Sequence, residues 1–259
     1  MYKEASLPPH TSKGGNGRTH AGPWTLWESL LMLVLFAGVP VLVSMGMVSL
    51  VSPGLDPSAG VAQMESSLVR WVVPVTILVT HAVCWLGLLM LASTRMDGFL
   101  QTIGLKGEGK AVPWAAVVIG AVVLGLVVHT LTSFNAAPRD VISPMDRFMQ
   151  TGPLSLALTF VFAVILYPLL EEVLFRGLLF SALRASSTFW ATLIATSLLF
   201  AALHFKQYGG HWVSMLAVLA VGAILAWLRE RFGPVLWAPI VFHATYNLAV
   251  LVLAIVTAA

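Results

Sequence analysis

Seven runs of 20 to 32 residues in this chain carry little charge, and a backbone inside such a run has few ways to fold. They cover 24–51, 70–93, 112–134, 153–184, 187–206, 211–230 and 234–257. At about 1.5 Å per residue, each is long enough to cross about 30 Å of hydrocarbon. Lipid offers no partner to a free N–H or C=O, so a spanning segment satisfies its own backbone as a helix. The expected fold class is therefore all-α, a polytopic membrane helix bundle of about seven to eight transmembrane helices. The breaks carry turn-forming residues: Pro53, Gly54 and Pro57; Gly104, Gly107 and Gly109; Pro138 and Pro144; Gly209 and Gly210; Gly233 and Pro234. The fourth run stands apart. As one helix it would be about 48 Å long, so it must tilt, kink or divide. Pro168 cannot donate to the carbonyl of Val164, which places the expected kink one turn before Glu171 and Glu172.

Composition agrees with a membrane protein. Charged residues make up 10% of the chain against about 25% in soluble domains, and the mean hydropathy is +0.90. The net charge of +3 comes from basic residues scattered between apolar runs, which argues against a nucleic-acid partner. The lone cysteine, Cys84, reads as a small packing residue. Three regions follow: a disordered cytoplasmic tail over 1–22, N-terminal transmembrane helices over 23–152, and a transmembrane core over 153–259. With the N-terminus inside, Lys3, Lys13, Arg18, Arg95, Lys106, Lys110, Arg184, Arg229 and Arg231 are cytoplasmic, against Arg70, Arg139, Arg147 and Lys206 outside. This asymmetry predicts a multi-pass protein of the plasma (inner) membrane with a cytoplasmic N-terminus and an external C-terminus. Tryptophans near segment ends (Trp24, Trp27, Trp71, Trp114, Trp190, Trp212 and Trp237) suggest an interfacial belt. Ala116 with Gly120, Ala191 with Ala195, and Gly222 with Ala226 suggest close helix packing.

The polar residues inside the apolar runs demand a different explanation. A charge at the centre of a membrane helix costs about 2.5 to 3.5 kcal/mol on insertion scales, so Glu171, Glu172 and Arg176 together cost about 8 to 10. Such groups face a polar interior, not lipid. Glu172 with Arg176, Phe200 with His204, and His243 with Asn247 each stand at i, i+4 spacing on one helix face. Brought to one buried active-site cavity, they would supply a general base, a second proton handler and donors for a developing oxyanion. His81 and His129 read as hydrogen-bond bridges between helices.

These motifs, EEVLFR from Glu171, FAALH from Phe200 and HATYN from His243, resemble the CAAX-protease and bacteriocin-processing (CPBP, or Abi) intramembrane endopeptidases. The stretch from Gly222 to Arg231, followed by Gly233, Pro234 and Trp237, is similar as well, and the resemblance covers about 153–250. It implies a glutamic peptide hydrolase in which Glu171 and His204 activate water. His243 and Asn247 would hold the oxyanion or the scissile carbonyl, with Glu172, Arg176 and Phe200 in support. It also implies a membrane-anchored protein or peptide substrate in the bilayer, such as a prenylated tail or a C-terminal sorting signal, and no cofactor. Three other chemistries fit the residues. Zinc could be held by His204, His243 and one of the glutamates, although no His-Glu-x-x-His occurs. A peptide-binding immunity protein would need the cavity without the base. A proton-coupled transporter also buries Glu, His and Arg, but no repeated half with paired broken helices is visible.

Overall fold

The computed structural model describes residues 24–51, 66–95, 98–135 and 144–258. Every element among them is helical. In chain order they are α1 (Leu26–Val51), α2 (Ser66–Ala92), the short α3 (Phe99–Thr102), α4 (Trp114–Phe134) and the short α5 (Pro144–Met149). Then come α6 (Pro153–Arg184), α7 (Phe189–Leu203), α8 (Trp212–Phe232) and α9 (Trp237–Ala258). The expected tail over 1–22, the break at Pro53 to Pro57, Pro138 and Arg139 lie outside the described residues.

Among the described residues six helices are long and apolar enough to cross a membrane, so the chain is an integral membrane protein with a helical-bundle fold. The exception is α7. The apolar run predicts a span over 187–206, but the helix has 15 residues, about 22 Å, which is short of the hydrocarbon thickness. It stops because turns follow at His204, and the chain then reverses through Gly209 (φ 56°) and Gly210 (φ 73°). Those left-handed conformations cost glycine little, and a Cβ on Gly210 would stand 3.0 Å from the Phe205 ring.

A set of contacts assigns the helix ends. Thr25 and Glu28 form a reciprocal cap at the start of α1, with Thr25 N–H donating to Glu28 (2.8 Å) and Glu28 N–H to Thr25 Oγ1 (3.3 Å). Glu28 also binds Arg95, beyond α2, at 2.7 Å. Trp24 donates to Thr102 O, Trp237 donates to Leu105 O, Lys110 N–H donates to Phe232 O, and Arg184 pairs with Glu230. These ties gather the start of α1, the ends of α2, α6 and α8, and the start of α9 at one end of the bundle. At the other end His129 of α4 meets Thr257 of α9 at 3.4 Å. Because α6 and α8 both finish at the first end, α7 runs antiparallel between them. Trp24 and the end of α9 consequently lie at opposite ends.

The long fourth run is not divided. Helix α6 is continuous over 32 residues and contains two π-helical stretches, Val161–Leu166 and Val173–Leu179, on either side of the turn that carries Pro168, Glu171 and Glu172. All seven residues of the second stretch are buried, so this part of α6 is enclosed on every side. The apolar cluster around it includes Leu174 and Phe175 of α6, Met32 of α1, Leu88 and Cys84 of α2, and Phe200 of α7.

Of the small-residue pairs, Gly222 and Ala226 are buried, and a Cβ on Gly222 would approach Ser197 Cα to 3.2 Å. Ala116, Gly120, Ala191 and Ala195 are exposed, so those two pairs form no buried seam among the described residues. Six of the seven end-of-segment tryptophans are exposed as a belt requires, whereas Trp24 is buried beneath the Arg95 guanidinium, 4.1 Å from its ring centroid.

Candidate active site

The turn between the two π stretches places both glutamates in the interior. Glu171 is 6% exposed, and Glu172 and Arg176 are completely buried. Glu171 lies 13 residues before the end of α6, about 20 Å from that end of the bundle. Arg176 Nη1 donates to Glu172 Oε1 at 3.0 Å, and Nη2 donates across to the Gly222 carbonyl of α8 at 2.9 Å. Its guanidinium carbon stands 4.8 Å from the centroid of the Phe200 ring. Among the described residues, Glu172 Oε2 and Arg176 Nε are buried without a hydrogen-bond partner.

Helix α9 brings His243 to this pair. His243 Nδ1 stands 2.9 Å from Glu172 Oε1, and its Nε2 stands 3.8 Å from Glu171 Oε2. The imidazole therefore lies between the two carboxylates. Phe200 packs on it edge-on, with centroids 5.9 Å apart, and on His204 at 4.6 Å, so the two histidines share one phenyl ring. His204 is at the end of α7. Its Nδ1 is 2.8 Å from the Phe200 carbonyl, and a carbonyl can only accept, so the hydrogen is on Nδ1. That leaves Nε2 as the nitrogen with a lone pair.

Asn247 makes a contact that local spacing does not suggest. Its Nδ2 donates to the carbonyl of Ala163 at 2.8 Å. In the i→i−5 pattern of a π-helix the natural donor to Ala163 is residue 168, which is proline. One N–H of Asn247 thus satisfies a carbonyl that Pro168 leaves open, and one remains. A second arginine plays a related part for the other π stretch: Arg229 Nε donates to the Arg176 carbonyl at 3.1 Å and Nη1 to the Gly233 carbonyl at 2.7 Å.

Glu171, Glu172, Arg176, Phe200 and His243 are thus brought together in the interior, whereas His204 and Asn247 are half-buried, the first joined to the set through the Phe200 ring and the second through the Ala163 carbonyl of α6. Tyr208 is a member that sequence reasoning missed. Its ring stacks on His204 with centroids 6.5 Å apart, and burial, reinforced by the charges of Asp146 and Glu171, pushes its phenol up to about 12. It therefore stays a neutral hydrogen-bond donor. The signal was available, because Phe200, His204 and Tyr208 continue a four-residue spacing.

The two histidines set aside as bridges differ. His129 does reach α9 through Thr257. His81 instead bonds the Ile77 carbonyl of its own helix at 2.9 Å, and its Nε2 is buried without a hydrogen-bond partner among the described residues. Among the described residues no group of three or more His, Cys, Asp or Glu side chains is arranged to hold a metal ion. A concavity of about 260 Å³ lies between Gly107, Lys110, Trp114 and Trp237, at the basic end, and includes none of the site residues.

Residues 153–249 match the family model described as Rce1-like, type II CAAX prenyl endopeptidase. The matched segment starts with α6 and runs through the Glu171, His204, His243 and Asn247 motifs. Over these residues the chain matches that family, which supports a membrane protease of the CAAX type. Comparison with curated proteins and with solved structures returns no match.

Proposed function

We propose that this protein is an intramembrane endopeptidase that hydrolyses a peptide bond of a membrane-anchored protein or peptide, using a glutamate and a histidine to activate water without a metal. The observation that carries this reading is the approach of the buried Glu171 and His243 to 3.8 Å, with His204 packed on the same Phe200 ring as His243. Glu171 takes a proton from water whose other contact is the Nε2 lone pair of His204. The water oxygen bonds to the scissile carbonyl carbon as the C=O electron pair moves onto oxygen. His243 and the remaining N–H of Asn247 stabilise that oxyanion. Collapse breaks the C–N bond, and the proton on Glu171 passes to the departing amine. Water and peptide become acid and amine, with nothing left over. The catalytic core over 153–259 carries these groups, and the helices of 23–152 enclose them.

For orientation, the end of the bundle nearest Trp24 carries Arg95, Lys106, Lys110, Arg184, Arg229 and Arg231, and the far end carries Arg70, Arg147 and Lys206. The positive-inside rule supports a cytoplasmic N-terminus in a plasma (inner) membrane protein. The short α7 then leaves His204 and the exposed Phe205 toward the outer face.

The test is cleavage of a quenched fluorescent peptide ending in a farnesylated cysteine and three further residues, beside its unprenylated counterpart, by purified protein in vesicles. Activity should persist in a chelator. Activity abolished by chelation and restored by zinc overturns the metal-free mechanism, and binding without cleavage of either peptide or of cellular membrane-protein termini favours a sequestering protein.

A further inference from the structure

We propose that Glu172 is the positioning residue for His243, holding the imidazole by its Nδ1–H so that Nε2 is the nitrogen presented to Glu171 and to the reacting carbonyl. This rests on the reading of His243 as a member of the catalytic set. Glu172 Oε1 lies 3.0 Å from Arg176 Nη1 and 2.9 Å from His243 Nδ1. Guanidinium can only donate, so the oxygen it meets is an acceptor, and the hydrogen of the second contact belongs to His243 Nδ1. With Nδ1 committed, Nε2 is the only position on the ring where a proton can come and go.

Charge balance points the same way. Arg176 is buried with two carboxylates, and a net charge in such an interior is strongly disfavoured. One more proton neutralises the set, and Glu171 Oε2 and His243 Nε2 face each other 3.8 Å apart, where it would be held. That proton on Nε2 frees Glu171 to act as base and makes Nε2–H a donor for the oxyanion. One proton thus equips both partners. Arg176 in turn fixes Glu172 through the Gly222 carbonyl on α8, so α6, α8 and α9 all bear on the orientation of one ring.

The experiment is ¹⁵N NMR of histidine-labelled protein, with the His243 signals assigned by their loss in His243→Gln. The expected resting species carries hydrogen on Nδ1, with Nε2 bare or also protonated. A resting tautomer with bare Nδ1 and protonated Nε2 overturns the proposal, and this measurement needs no variant of Glu172. Glu172→Gln supplies the second arm. Its amide can donate to Nδ1 and so permit the wrong tautomer; in serine proteases the equivalent aspartate-to-asparagine change lowers turnover about 10⁴-fold with the geometry intact. Folded Glu172→Gln protein should lose at least about 100-fold in single-turnover rate with KM little changed, and Glu172→Asp should recover part of it. A role confined to structure would lower the melting temperature and leave the rate of folded protein unchanged, which also overturns the proposal. If His243→Ala cleaves normally, the catalytic assignment of His243 fails; if His243→Ala is inactive but the tautomer is wrong, only the role of Glu172 fails.

Discussion

Arg176 and Arg184 stand eight residues apart on one helix, and each pairs with a glutamate. The first pair is wholly buried at 3.0 Å; the second, Arg184 with Glu230, is 39% and 35% exposed at 3.1 Å. Nearly equal distances conceal different physics. At the end of the bundle, water and salt screen the charges, and long side chains lose entropy to hold one geometry, so the pair ties α6 to α8 weakly. In the interior the desolvation cost is large, and what makes the pair tolerable is the further set of partners: Gly222 O, the Phe200 ring and His243.

The comparison can be broken first at the residue beside the buried pair. Glu171→Gln keeps the size of the side chain and should lower cleavage by about 100- to 10,000-fold, because an amide cannot take the proton from water. The melting temperature in detergent should be close to wild type, since Glu171 has no counterpart to the bonds that Glu172 makes to Arg176 and His243. Cleavage within tenfold of wild type would remove Glu171 from the chemistry.

Arg176→Ala comes next and acts on stability. It strands Glu172 as an unpaired buried charge, and breaking a buried pair costs about 3 to 5 kcal/mol in soluble proteins. Low yield or a clearly lowered melting temperature is expected along with lost activity. A variant as stable as wild type but inactive would move Arg176 from support to chemistry.

A smaller effect is expected at Asn247, whose amide serves two ends. Asn247→Ala leaves the Ala163 carbonyl without its donor, at a cost of about 1 to 3 kcal/mol. In active protein it should also lower turnover by about 100- to 1,000-fold through the lost oxyanion donor. Measuring its melting temperature in the Glu171→Gln background isolates the first effect. An unchanged value there would mean that the Ala163 contact carries no stability.

Much of this arrangement was legible in the sequence. Six spans follow from apolar length, and the i, i+4 pairs pick out Glu172, Arg176, Phe200, His204, His243 and Asn247 before any packing is known. Other features escaped, for physical reasons. Phe205 continues the apolar run beyond His204, so hydropathy extends α7 past the point where its backbone turns. The π stretches leave no compositional mark, and Pro168 signals an open carbonyl without saying that Asn247, 84 positions beyond Ala163, will fill it. The approach of His243 to Glu172 spans 71 residues, and no local spacing encodes it.

The smallest predicted effect tests the exposed side of the comparison. A double-mutant cycle on Arg184→Ala and Glu230→Ala should give a coupling of about 0.2 to 1 kcal/mol. Arg184 also donates to the Ser187 carbonyl at 3.0 Å in the turn before α7, so the single Arg184→Ala change includes a loss unrelated to the ion pair, and only the cycle separates them. Raising the salt concentration to about 1 M shortens the Debye length to about 3 Å and should erase most of that coupling, whereas the stability lost in Arg176→Ala should be nearly indifferent to salt because no ions enter the interior. A coupling above about 2 kcal/mol that survives high salt would show that the Arg184 pair is desolvated in the membrane, and the contrast between the two ends of α6 would then fail.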